Sequence, residues 1–119
     1  MTTAMTRAEL EELMEIGEVT VVDALPAAYY EQAHLPGALN LVAADVAEQA
    51  GRLLPDTAAP IVTYCSNAAC NNSKDVAKRL QALGYTNVRT YGAGIEDWVG
   101  AGLPIATGPA AAPHADIDA

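Results

Sequence analysis

Cys65 closes an apolar run in Ile61-Val-Thr-Tyr-Cys65-Ser-Asn-Ala-Ala-Cys70-Asn-Asn-Ser73, and a helical pattern starts a few residues later. A cysteine at the end of a buried strand, opening a loop that leads into a helix N-terminus, meets backbone N–H donors and the positive end of the helix dipole. Both favour the thiolate, which is the nucleophilic form. Cys65 is therefore the candidate catalytic residue. Ser66, Asn67, Ala68, Ala69, Cys70, Asn71, Asn72 and Ser73 form the loop that would bind what it attacks. The asparagines can supply amide donors there, or serve only to turn the chain and cap the next helix. The competing reading of Cys65 is a buried structural thiol, a common fate of free cysteine. Two cysteines with His34 far away in sequence lack the spacing of a zinc site, so neither metal nor cofactor is expected.

The flanking pattern supplies elements to hold this loop. Thr6 and Glu9 make a capping box, and Leu10, Leu13, Met14 and Ile16 an apolar stripe, which predicts a first helix over residues 6–16, stopped near Gly17. Val19–Asp23 reads as a buried strand, Pro26–Gln32 as a short helix, His34–Gly37 as a turn and Ala38–Val42 as a brief strand. A helix follows from Ala43 to Leu54, with Val46, Leu53 and Leu54 inward, before Pro55 breaks it. After the Ile61–Tyr64 strand, Asn72 or Ser73 is the expected cap of a helix carrying Val76, Ala77, Leu80 and Leu83, which Gly84 ends. Asn87–Tyr91 is a further strand, and Ile95–Ala101 a short helix that brings Trp98 into the core. Alternation at these lengths predicts an α/β fold with a parallel sheet covered on both faces, where reactive groups collect at the C-terminal ends of strands. Thr107–Ala119, rich in Ala, Pro and Gly and without apolar period, reads as a disordered C-terminal tail, leaving residues 1–106 as the domain.

Length and charge bound the rest. A chain of 119 residues is one domain by length and needs no staple to bury a core. Half its residues are apolar, yet it has one Trp, five Tyr and no Phe, so the core rests on Ala, Val, Leu and Ile. Fifteen acidic side chains against six basic ones give a net charge of −9, which disfavours nucleic acid and anionic membranes as partners. No signal-like or membrane-spanning stretch stands out, so a cytoplasmic, reducing location is expected. Residues 1–60 hold ten carboxylates against Arg7 and Arg52, whereas Lys74, Lys78, Arg79 and Arg89 follow Cys65. That cluster is either an ordinary solvated face or a means of attracting an anionic ligand.

Three pieces of the chain, in order, resemble the single-domain rhodaneses, a sulfurtransferase family. They are Val21-Val-Asp23 with Tyr30-Glu-Gln-Ala-His34-Leu-Pro-Gly-Ala-Leu-Asn40; Ile61-Val-Thr-Tyr-Cys65; and Leu80-Gln-Ala-Leu-Gly-Tyr-Thr-Asn-Val88 with Gly92-Ala-Gly-Ile-Glu-Asp-Trp98 and Ala101-Gly-Leu-Pro104. The resemblance implies a rhodanese-like three-layer sandwich, with a mainly parallel central sheet of about five short strands and helices on both faces. It implies that Cys65 takes a sulfane sulfur from thiosulfate or a persulfide, holds it as a persulfide among loop amides, and gives it to a thiol or protein acceptor. Asp23 and His34 fall where the resemblance places a recurring structural corner, with a hydrogen-bonded structural role expected ahead of proton transfer. A monomer or weak homodimer is expected.

The loop is atypical for that family. Its commonest form reads Cys-x-x-Gly-x-Arg-Ser, whereas here Ser-Asn-Ala-Ala-Cys-Asn-Asn separates Cys65 from Ser73, which is two residues longer if the serines correspond. It has neither glycine nor arginine, and the Asp-Val-Arg usual at the first strand end is Asp23-Ala-Leu25. Loss of a loop cation weakens the case for thiosulfate in particular. Cys70 is either an inert loop residue or a resolving thiol that attacks a Cys65 persulfide or sulfenic acid. Two other functions remain open: a non-catalytic or redox-switch binding module using Cys65 and Cys70, and a thiol phosphatase or arsenate reductase on the related fold.

Overall fold

A computed structural model describes residues 3–109. Five strands, β1 (Thr3–Ala4), β2 (Thr20–Asp23), β3 (Leu39–Asn40), β4 (Ile61–Tyr64) and β5 (Val88–Tyr91), form one sheet in the order β1-β5-β4-β2-β3. Every neighbouring pair is parallel, with Thr63 opposite Val22 on one side and Thr90 on the other. The helices are α1 (Arg7–Glu15), α2 (Ala27–Gln32), α3 (Val46–Leu53), α4 (Asn72–Ala82) and α5 (Gly94–Gly100), with a 3₁₀ turn over Ala43–Asp45 leading into α3. This is the three-layer α/β sandwich expected from the sequence.

Connections through α1 and α2 move toward β3, and those through α3 and α4 move back toward β1. Crossovers of one hand that run in opposite directions must lie on opposite faces of a sheet. The packing agrees. Val22, Ile61 and Val88 join Val46 and Ala50 of α3 and Val76, Ala77 and Leu80 of α4, whereas Val21, Val62, Tyr64 and Tyr91 join Leu10 of α1, Tyr30 of α2 and Trp98 of α5. Strand residues alternate between these cores because the side-chain period of a strand is two.

Element boundaries follow local chemistry. The Thr6–Glu9 capping box starts α1, and Gly84, at φ +101°, ends α4 where a β-carbon would be strained. The sequence pattern missed β1, whose two residues are too short for any period; it is made by pairing with β5. The tail expected over residues 107–119 lies outside the described residues from 110 onward, and before that point the Gly108 N–H donates to the Glu31 carbonyl at 2.8 Å.

Candidate active site

β4 is the middle strand, and all four of its residues are buried. Cys65 continues its alternation: Tyr64 points to the α1/α2/α5 core, so Cys65 points to the α3/α4 core, where it is 1% exposed. The loop after it is held from outside by α5. The Ile95 and Glu96 amides donate to the Cys65 and Ser66 carbonyls, both at 2.9 Å. Gly94 permits this approach, since a β-carbon on it would lie 2.6 Å from the Ser66 carbonyl carbon and oxygen and 2.7 Å from the Asn67 nitrogen, at φ +73°. Gly94, Ile95 and Glu96 were not singled out from sequence as loop supports, although the glycine pair ahead of Trp98 was the visible signal.

Inside the loop Asn67 is a strut rather than a ligand-facing donor. Its carbonyl accepts from the Cys70 N–H at 3.1 Å, its side-chain oxygen accepts from the Ala69 N–H at 3.0 Å, and its Nδ2 donates to Glu96 at 2.9 Å. Ala68 and Ala69 form the exposed tip. Asn71 is the N-terminal flanking residue of α4 but makes no side-chain cap. Neither Asn72 nor Ser73 caps that helix, contrary to expectation: both are inside it. Asn72 Nδ2 reaches across to the Ala24 carbonyl at 3.4 Å, and buried Ser73 turns its hydroxyl toward sulfur, so each has a tertiary partner in place of the helix end.

The two sulfurs have different surroundings. The Cys65 thiol, with one proton to give, faces two acceptors, the Cys70 carbonyl at 3.4 Å and Ser73 Oγ at 3.5 Å. Burial pushes it above the ordinary thiol range and its hydrogen bond with the Cys70 thiol adds to this, while the Ser73 hydroxyl and amide offset only part. Cys70 is half-buried, and partial burial alone would push it up as well. Hydrogen bonds from the Cys65 thiol, from the Asn72 and Ser66 amides and from the Ser66 hydroxyl outweigh that and hold it below the ordinary range. The loop amides expected to ring Cys65 thus divide: Ser73 serves Cys65, while Ser66 and Asn72 serve Cys70.

The other sequence candidates lie across the sheet. Asp23 is fully buried and accepts from Tyr64 Oη at 2.6 Å and the Leu25 N–H at 2.8 Å; burial raises its pKa despite both. His34 stacks on Tyr30 with ring centroids 3.8 Å apart, and its Nδ1 lies 2.7 Å from the Tyr30 carbonyl. Both are structural, in the α1/α2/α5 layer. Arg89, counted with the basic residues near the thiol, instead pairs with Glu9 at 3.0 Å on α1. Among the described residues no cluster of His, Cys, Asp and Glu is suited to a metal ion, and no helix is long and apolar enough to cross a membrane.

A parallel α/β sandwich with a cysteine ending its central strand, inside a loop clamped between two helices, defines a thiol-bearing domain of the rhodanese type. The family model for the Rhodanese-like domain matches residues 6–101, and the chain belongs to that family. It is 38% identical over 105 residues to the HTH-type transcriptional regulator Rv0324 of Mycobacterium tuberculosis, a match covering 88% of this chain. The chain spans only 45% of that relative's length. Among solved structures, the BH2092 protein of Bacillus halodurans is similar at a TM-score of 0.81 and 26% identity, covering 89% of this chain and 77% of that one. A rhodanese from E. coli, solved with anions, is similar at 0.63 and 26%, covering 76% and 99%.

Proposed function

We propose that this domain is a sulfurtransferase that carries sulfane sulfur as a Cys65 persulfide. The observation that supports it most is the setting of Cys65 at the end of the middle strand, its sulfur facing the Ser73 hydroxyl and amide. The Cys65 thiolate attacks the outer sulfur of a donor R–S–SH; the donor S–S bond breaks, RS⁻ leaves and Cys65–S–SH forms. A thiophilic acceptor, a small thiol or a protein thiol, then takes the outer sulfur and returns the thiolate. A low-charge persulfide suits this site better than thiosulfate. Residues 66–73 contain no cation, and the Glu96 carboxylate bonded to Asn67 adds negative charge at the rim. The same lack of an arginine argues against a phosphatase or arsenate reductase, whose oxyanion needs one. Both cysteines are free thiols, and we place the reaction in a reducing compartment such as the cytoplasm.

The test is thiocyanate formation with excess cyanide as acceptor. A small-molecule persulfide supports it, thiosulfate supports it less well, and Cys65→Ser abolishes it. No Cys65-dependent thiocyanate from either donor sinks the reading. A second reading, a sulfur-responsive module within a longer protein, is favoured by the likeness to an HTH-type transcriptional regulator. It predicts sulfur uptake on Cys65 once per chain without turnover.

A further inference from the structure

Cys70 plays no part in the scheme above, yet the loop brings it against Cys65. Cys70 is the less buried of the two, it packs against the same core cluster as Cys65, and its carbonyl oxygen lies 3.4 Å from the Cys65 sulfur. Cys65 lies beneath it, 1% exposed, with its thiol against the Cys70 carbonyl and the Ser73 hydroxyl. Two free thiols brought together within one loop, one buried and the other closer to solvent, are placed as a nucleophile and a resolving cysteine.

We propose that Cys65 and Cys70 are a dithiol pair, in which Cys70 resolves the Cys65 persulfide and releases its outer sulfur as hydrosulfide. This deepens the sulfurtransferase reading and rests on it, because the persulfide must first form on Cys65. The Cys70 thiolate attacks Cys65 Sγ, the Cys65–S–SH bond breaks, and HS⁻ leaves: Cys70–S⁻ + Cys65–S–SH → Cys65–S–S–Cys70 + HS⁻. The sulfane sulfur is reduced to sulfide by the two electrons that the paired cysteines give up, so this step needs no external oxidant. A small thiol reductant resets the pair by thiol–disulfide exchange. The Cys70 thiol is held below the ordinary thiol range, which favours the thiolate that attacks. With an acceptor scarce, the domain therefore converts a persulfide to sulfide and closes a disulfide over the spent nucleophile.

The test treats the fully reduced chain with one equivalent of a small-molecule persulfide, without reductant or acceptor, and follows intact mass and trapped sulfide. The wild type should lose two hydrogens in mass and release one sulfide per chain beyond a protein-free control. Cys70→Ser and, as a second variant, Cys70→Ala should gain one sulfur on Cys65 and release none. A wild type that keeps the added sulfur and forms no disulfide overturns the resolving role while leaving the Cys65 persulfide standing. Sulfur loaded onto Cys70 in Cys65→Ser also overturns it, by making Cys70 the receiving thiol. If no form takes up sulfur and no Cys65-dependent thiocyanate appears, the sulfurtransferase reading itself fails.

Discussion

The two thiols illustrate how far a residue's chemistry depends on which way its neighbours point. Cys65 has a single partner residue that favours its charge, Ser73, against burial and a second thiol; Cys70 has donors from Ser66, Asn72 and Cys65. Alkylation with iodoacetamide, followed by peptide mass analysis across pH, should label Cys70 first near neutrality. Cys65 should follow only as pH rises, because the thiolate is the form that alkylates. Equal rates near neutral pH would contradict this ordering. Ser73→Ala removes the hydroxyl that donates to Cys65 once it is a thiolate, and should slow sulfur uptake roughly fivefold, for a hydrogen bond worth about 1 kcal/mol. The alkylation profile of Cys65 should move to still higher pH at the same time, which a merely structural loss would not produce. Cys65 itself was legible in the sequence because an apolar strand ending in cysteine is a local pattern. The division of the amides was not, since it depends on the conformation of a loop that lacks glycine and whose residues have no period.

At the scale of elements, the active loop is fixed less by its own sequence than by α5 behind it. Two carbonyls of the loop accept from the first turn of that helix, and only glycine at position 94 lets the backbones meet. Gly94→Ala should cost about 1–3 kcal/mol from its left-handed backbone alone, with the clash at Ser66 in addition. Denaturant unfolding should show that loss, and Cys65-dependent thiocyanate formation should fall with it even where the fold survives. Normal stability with normal activity would mean that the loop does not depend on this contact. The sheet, by contrast, was readable from periodicity: the cores of β2, β4 and β5 fall inside the strands expected at 19–23, 61–64 and 87–91. The exceptions are places where tertiary pairing decides. The edge strand Thr3–Ala4 exists through β5, the start of α3 tightens into a 3₁₀ turn, and Ser73 abandons a capping role for a buried sulfur.

Across the whole molecule, the net charge of −9 opposes compaction at neutral pH, so protonating carboxylates relieves repulsion as pH falls. Particular carboxylates act in the other direction. Asp97 accepts from Tyr91 Oη at 2.6 Å and from Arg7 Nη1 at 2.9 Å, joining α5, β5 and α1. Those bonds hold its pKa below the ordinary carboxylate value, as the Thr6 amide and Arg89 do for Glu9. A carboxylate with a lowered folded-state pKa binds fewer protons folded than unfolded near that range. Its stabilisation is present above the unfolded pKa and is lost as pH falls through the folded one. Asp23 is opposite in sign: burial raises its pKa, so its contribution is present below the unfolded value and is lost as pH rises through the folded value. The Asp97 effect is therefore isolated only by difference. Thermal unfolding of the wild type and Asp97→Asn should show the variant less stable at neutral pH, with the gap narrowing steadily as pH drops below the carboxylate range. A gap that stays constant with pH would mean that the Arg7–Asp97–Tyr91 contact stabilises through packing alone, and that charge contributes nothing to tying α1 to the end of the molecule that holds the loop.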